Sequence, residues 1–460
     1  MSQGNVFAYV MLVIFPIIAS VLFRKLPTYS AIAWTICLGY LILPVDTFFD
    51  LPALPPFTKD VIPALVAWAF IVVYVKDRLR LVPEHGGIRA IYVLSFLSIA
   101  ATCLVNGDKL IYGATVLPGH GLFNTSDMSL MVIQLFLLVP FMLGRQFLSS
   151  DEGLSCLLKV LVTSGVFYCL LVLWEIRMSP QLHTQIYGYF PHDGGMVQQK
   201  RAGGFRSVAF IGHGLRVAVF LATVLVAAIY LYRTKQKVVP LSPLAVVVFV
   251  GLVILVSKTF AAFAYSICAV AFFFLLNAKL QRVALFLLCC VVLAYPLIRG
   301  NELYPDDYAV SLASELSDDR AHSLAFRFYY EEKLLNKAEE KQLFGWGNYS
   351  RNRVYDLDGN DDSVTDGEWL IVFGSKGWLG YLCYYGLLVL PVVIWIKNVK
   401  RYGKPPIEVV YLSFIVMVIV ANTLINSGIS PIIWLISGAL LGYSERRSKE
   451  HKSKQIMIAE

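Results

Sequence analysis

An all-α polytopic membrane protein is the fold class this sequence predicts, and three observations carry it. Hydrophobic residues make up 57% of the chain and charged residues only 15%, against about 25% charged in a soluble domain. Apolar runs near the ~20 residues that a transmembrane helix needs recur, with short polar gaps, from Val6 to Tyr443. In lipid only helices or a closed barrel satisfy every backbone polar group, and these runs lack the alternation of barrel strands.

In chain order the runs predict thirteen helices, over 6–23, 31–45, 61–75, 88–105, 128–148, 154–176, 208–232, 240–256, 259–276, 283–298, 370–396, 408–425 and 431–444. Ser257, Lys258 and Thr259 leave almost no loop between two of them, so a count of twelve or fourteen stays open. The first run has no positive residue before it and is followed at once by Arg24 and Lys25, which predicts a retained helix over a signal peptide. The eight cysteines lie in or beside apolar runs without any CxxC spacing and read as small buried hydrophobes. The chain thus divides into a ten-helix bundle (1–298), a polar loop (299–368), three further helices (369–445) and a basic tail (446–460).

Charge orients the bundle. Residues 299–368 hold eight Lys or Arg against sixteen Asp or Glu, a net of −8, so the other 390 residues carry +16 of the total +8. Lys and Arg collect at Arg24-Lys25, Lys76–Arg89, Arg233–Lys237, Lys279–Arg282, Lys397–Lys404 and the tail from Arg446. Cytoplasmic loops are enriched in these residues, so the acidic loop, the Pro-rich gap Asp46–Asp60 and the Gly-rich gap Asn106–Asp127 are expected on the outer face. The C-terminus is then cytoplasmic. The absence of an internal repeat weakens a transporter reading.

One outer gap breaks the charge rule. Arg177–Arg206 carries Arg177, Lys200, Arg201 and Arg206 against Asp193 alone, and the helix after it contains His213 and Arg216. Ionisable groups at membrane depth cost about 2.5–3.5 kcal/mol each and usually line a cavity or pathway. On a helix His213 and Arg216 would share a face, with Arg206 above them and Gly203-Gly204 letting a ligand approach the backbone. Guanidinium groups and a helix N-terminus both suit phosphate. The plainer alternatives are that Arg206 snorkels to headgroups and that Arg216 pairs with a neighbour.

Within the large loop Arg327 stands among Phe326, Phe328 and Tyr329 on a predicted amphipathic helix, either as a ligand contact or paired with Glu331 at i, i+4. Asp366 and Glu368 open the next helix, as proton acceptors for a sugar hydroxyl or as N-terminal caps. The acidic stretch from Asp356 is similar to a calcium loop, but Asp361 stands where that loop needs Gly and Gly367 where it needs Glu. Lys258, between two helices, could reach a phosphate or a headgroup. His183 and His192 lack zinc spacing and no nucleotide loop occurs. Neither metal, cofactor nor nucleic acid is expected.

Together these residues resemble the O-antigen ligase and polymerase superfamily of bacterial polysaccharide assembly. Lys200–Arg216 carries the resemblance in one place. Arg327, Leu343-Phe-Gly-Trp-Gly347, Asp366-Gly-Glu-Trp-Leu and Gly374-Ser-Lys-Gly-Trp-Leu-Gly380 carry it in the other. The resemblance implies a GT-C-like bundle in the bacterial inner membrane with a large periplasmic loop. It further implies a glycosyltransferase, independent of metal and nucleotide sugar, that moves glycan from undecaprenyl pyrophosphate to an acceptor hydroxyl. Arg201, Arg206 and Arg216 would hold the pyrophosphate and Arg327 would add a loop contact, within a machinery that includes other polysaccharide-assembly membrane proteins. Ligases of the family carry a His-Asn pair before the helix that follows the loop, where this chain has Asp366-Gly367. That departure favours a polymerase of O-antigen or exopolysaccharide repeat units over a ligase of lipopolysaccharide assembly, with a flippase as the further alternative.

Overall fold

The computed structural model describes residues 4–50, 54–121, 124–192, 195–201, 203–301, 303, 305–315 and 317–459. In chain order the helices are α1 Val6–Lys25, α2 Thr28–Ile42, α3 Ile62–Phe70, α4 Gly86–Val105, α5 Thr125–Phe147, α6 Asp151–Met178, α7 Leu182–Tyr187 and α8 Gly214–Thr234. They continue with α9 Pro243–Val256, α10 Phe260–Phe274, α11 Ala278–Gly300, α12 Asp306–Ser314, α13 Asp318–Glu339, α14 Glu368–Tyr402, α15 Ile407–Asn422 and α16 Pro431–Ala459. Two short antiparallel hairpins, β1 Leu110–Tyr112 with β2 Thr115–Leu117 and β3 Lys200–Arg201 with β4 Gly204–Phe205, are the strands among the described residues.

All thirteen apolar segments read from the sequence coincide with helices. Seven of these are long and apolar enough to cross a bilayer, and five more are shorter apolar helices. Their arrangement explains their composition. In α8 every residue from Val217 to Leu231 is buried, as an apolar helix surrounded by other helices must be. By contrast α1 leaves Val6, Val10, Val13 and Ile17 exposed on its outward face, a surface suited to lipid tails. Between α5 and α16 the backbones touch, because a Cβ on Gly144, Gly438 or Gly442 would run into the opposing main chain. Small residues at such crossings let membrane helices pack closely.

Three boundaries differ from expectation. The helix expected from 208 begins at Gly214, because Ser207 to Ala209 give their donors to a buried side chain described below. The last helix does not stop at 444. It runs on through the basic tail, where Glu445 accepts the Glu84 and His85 N–H groups (both 2.8 Å) and pairs with Arg145 at 3.1 Å.

The third difference matters most. The helix expected over 370–396 is broken at Gly377 (φ 61°, ψ −167°). A straight helix would put Glu368 and Tyr384 about 24 Å apart along its axis, yet the Tyr384 hydroxyl donates to Glu368 Oε1 at 3.3 Å. Trp369 stacks edge-on against Tyr295 of α11 at 5.0 Å, and Tyr381 donates to the Val292 carbonyl one turn away at 2.6 Å. Residues 368–376 therefore fold back against 378–402.

The loop holds this break open. Trp346 and Gly347 N–H groups donate to the Gly374 and Ser375 carbonyls (2.9 and 2.8 Å), and those of Trp378 and Leu379 donate to Gln342 and Leu343 (2.7 and 3.2 Å). A Cβ on Gly345 would strike the backbone of Ser375 and Lys376. The carbonyls and N–H groups that a broken helix orphans are thereby satisfied. The two motifs, Leu343–Gly347 and Gly374–Gly380, are two halves of one joint.

Candidate functional site

Glu175 of α6 is fully buried and organises the approach to α8. Its Oε2 accepts the Ser207 hydroxyl and the N–H groups of Val208 and Ala209 at 2.7–2.8 Å, while Oε1 accepts the Leu182 N–H at 3.0 Å. Four donors make a buried carboxylate tolerable. Next to it the Phe210 N–H donates to Tyr168 at 3.0 Å and the Phe210 carbonyl accepts from Lys59 Nζ at 2.6 Å. Non-helical backbone at membrane depth needs such saturation, and here it delivers His213 to the start of α8.

His213 is the N-cap and lies outside the helix (φ −149°, ψ 135°), so it does not share a helical face with Arg216. Its Nδ1 accepts the Leu215 N–H at 3.1 Å, which places the ring proton on Nε2. Burial, then the His192 ring, then the charges of Arg216, Arg206 and Arg327 push His213 down to about 4. At neutral pH it is an uncharged donor set among cations. The His192 and His213 rings are 4.8 Å apart.

Arginines of the two sequence regions come together at the turn 425–428 between α15 and α16. Arg206 leaves the β3–β4 hairpin with its N–H on the Gln199 carbonyl at 2.8 Å, and its stem covers Gly214. Arg216 lies flat on Gly428, where a Cβ would come within 2.8 Å of its guanidinium carbon. Arg327 reaches in from α13, donating to the Ile425 carbonyl at 3.4 Å and pairing with Asp366 at 3.3 Å, not with Glu331. Glu331 instead pairs with Arg299 at 2.6 Å. Lys258, in a left-handed turn (φ 55°), rests its ammonium on Gly204 of the hairpin. The Arg201 backbone pairs with Gly204 in the hairpin, and its side chain lies outside the described residues.

Glu368 faces the same centre. Its Oε2 accepts the Gly428 N–H at 3.0 Å, and Gly428 is the residue on which Arg216 lies. The N-cap of α14 is Gly367 with no side-chain cap bond, and Glu368 is the acidic residue of the first turn, so its charge also favours the helix N-terminus as the plainer alternative has it. A cavity of about 40 Å³, room for roughly three waters, lies beneath, lined by Arg216, Tyr40, Asn422, Gly428 and Ser430 among apolar neighbours.

Sequence reasoning missed Lys59, Glu175 and Gln199. Lys59 is 5% exposed, sits over the Tyr40 ring at 5.3 Å and is pushed down to about 8 by burial, with Asp60 opposing and Arg216 reinforcing. Gln199 is fully buried beside Gly214, and neither amide atom has a hydrogen-bond partner among the described residues. Glu175 carried a usable signal, as a carboxylate inside an apolar run. Lys59 lies in a turn and Gln199 at the end of a short 3-10 helix, and neither carried one.

Away from this centre, Cys103 of α4, His120 and Asp127 of α5 place ligand-type atoms within 4.8 Å of one another. His120 Nδ1 is bonded to Asp127 at 2.5 Å, and the backbone of Gly347 fills the space before Nε2. The charge of buried Arg351 also acts on Asp127. These contacts bring the loop that follows the β1–β2 hairpin onto the Gly-Trp-Gly turn. Compared with known proteins, the chain matches no family model and no curated sequence.

Proposed function

We propose that this protein is a membrane glycosyltransferase that polymerises undecaprenyl-pyrophosphate-linked oligosaccharide repeat units on the periplasmic face of the bacterial inner membrane. The observation that carries the reading is the meeting of Arg216, Arg327 and Glu368 at the turn 425–428, close to the Arg206 stem and to His213 at the start of α8. Fixed guanidinium groups in a water-poor site stabilise charge that grows on a leaving group. In the proposed step the acceptor hydroxyl oxygen attacks the anomeric carbon of the donor glycan and the bond from that carbon to the pyrophosphate oxygen breaks. The hydroxyl proton passes to the Glu368 carboxylate, and undecaprenyl pyrophosphate departs as an anion held by Arg206, Arg216, Arg327 and Lys258. His213 Nε2–H supplies a neutral donor to the same oxygens. Asp366, held by Arg327, orients that arginine, which leaves Glu368 as the base.

Carrier-linked glycans in a deletion strain test this. Single repeat units trapped outside are expected. Long carrier-linked chains would indicate a ligase, and units trapped inside a flippase. Normal polymer from both Arg206→Ala and Arg327→Ala would refute the assigned arginine roles.

A further inference from the structure

Cys103, His120 and Asp127 lie apart from the arginine centre, and the proposed transfer does not use them. They come from three places in the chain: the last turn of α4, the loop after β2 and the first turn of α5. Cys103 is 3% exposed, and the side chains of His120 and Asp127 are 5% and 3% exposed. Each offers one ligand atom, and these atoms all lie within 4.8 Å of one another. In a tetrahedral zinc shell, with bonds of about 2.0–2.3 Å, ligand atoms stand roughly 3.3–3.8 Å apart, so closing on an ion asks for movements of only about 1 Å. Hydrogen bonding alone leaves the cluster incomplete. His120 Nδ1 is bonded to Asp127 Oδ1 at 2.5 Å, and Asp127 Oδ2 accepts the Gly121 N–H at 2.8 Å. The buried Cys103 thiol beside them makes no hydrogen bond among the described residues, and His120 Nε2 is also without one. Buried polar groups are ordinarily paired.

We propose that Cys103, His120 and Asp127 form a zinc site that fastens the outer loop to the cap. Zinc accepts sulfur, nitrogen and carboxylate oxygen in one shell, whereas calcium and magnesium take oxygen. His120 binds through Nδ1, because the backbone of Gly347 covers Nε2. The imidazole proton moves to Nε2 and the thiol gives up its proton to solvent. Thiolate and carboxylate then neutralise the ion, and the fourth position is left for water. Arg351 does not occupy the carboxylate. Although its charge acts on Asp127, its guanidinium donates to the carbonyls of Trp346, Asp108 and Pro118 at 3.2, 3.0 and 2.8 Å. Gly347, which lies on the His120 ring, belongs to the turn that bonds both sides of the break at Gly377. A bound ion thus ties the loop before α5 to the joint of α14. It takes no part in the proposed transfer and is expected whatever reaction the arginine centre performs.

Full-length protein, purified in detergent with a tag free of histidine, is stripped with a chelator and titrated with zinc. One equivalent should bind and survive gel filtration, and the zinc X-ray absorption spectrum should show one sulfur among nitrogen and oxygen neighbours. Cobalt in place of zinc should give a thiolate-to-metal charge-transfer band. Cys103→Ser should abolish that band. Asp127→Asn should weaken zinc binding by about a hundredfold, since even an outer-shell partner of a metal ligand is worth 10–100-fold. Cys268→Ser and Cys290→Ser, at exposed cysteines, should change neither. The absorption spectrum is read on the unaltered chain, so it decides the matter even where a substitution unfolds the protein. Failure of the reloaded protein to retain zinc, a shell without sulfur, or an undiminished cobalt band in Cys103→Ser each overturns the proposal.

Discussion

The two halves of the site are held by opposite means. On the α8 side one fully buried carboxylate, Glu175, saturates four donors and fixes the chain that leads to His213 and Arg216. On the cap side the polar segments lean on partly exposed ion pairs: Arg327 with Asp366, Arg353 with Asp361, and Lys333 with Asp362. Buried, fully satisfied networks are costly to disturb, whereas exposed pairs contribute little and weaken in salt. The comparison assigns rigidity to the membrane half and adjustability to the cap. Under the proposed reaction, that division suits a site that keeps its cations fixed while growing glycan passes.

The strongest way to break the comparison is at Glu175. Glu175→Ala strands four donors, and each buried donor left unsatisfied costs about 1–3 kcal/mol. The expected outcome is loss of monodisperse protein in detergent or a large fall in melting temperature. Glu175→Gln should lose less, because its amide oxygen can keep the Ser207, Val208 and Ala209 donors while its nitrogen meets only the Leu182 N–H. A variant as stable as wild type would show that the approach to α8 is not held as described.

Arg216 comes next. Arg216→Ala should lower polymer formation by about a hundredfold, the scale of one preorganised donor at a developing anion, with melting temperature unchanged. Arg216→Lys should recover only part, because the forked donors are lost. Full activity in Arg216→Lys would reduce the site to a simple point charge.

How much of this was legible beforehand depended on whether a residue acts through its own periodicity or through a distant partner. The thirteen helices could be read because apolar runs of that length have one stable solution in lipid. Arg206 and Arg216 stood out because cations are costly beside and within an apolar helix, and Arg327 because aromatic residues surround it in the polar loop. The break in α14 could not be read from Trp369–Trp395, which is apolar apart from Ser375 and Lys376. It depends on Gly377 adopting φ 61° while the turn at Gly345, thirty-two residues upstream, bonds both sides of the gap. His213 was misplaced for a related reason. Its helical face was inferred from spacing, while the competing hydrogen bonds to Glu175 start the helix six residues later than the apolar run does.

Lys59 offers a milder perturbation of the rigid half. Burial brings its ammonium down to about 8, so it is charged below that pH and loses its charge as the pH rises through it. Affinity for a lipid pyrophosphate should therefore fall a few-fold between pH 7 and 9, while Arg216 and Arg206 stay charged. Lys59→Arg should flatten this limb, since guanidinium does not titrate there. An unchanged limb in Lys59→Arg would place the titrating group elsewhere.

The smallest effect is expected in the cap. Asp366 is more than a third exposed and pairs with an arginine that also holds the Ile425 carbonyl. Losing such a pair is worth at most about 1 kcal/mol, or roughly fivefold. Asp366→Asn should raise the apparent KM for glycan donor by no more than that and leave kcat unaltered. Raising salt from 0.05 to 0.5 M should erase the difference, because screening over about a Debye length weakens the wild-type pair. If Asp366→Asn instead abolished turnover at every salt concentration, Asp366 and not Glu368 would be the proton acceptor. The adjustable half of the site would then contain the chemistry, and the contrast between a fixed bundle and a yielding cap would have to be reversed.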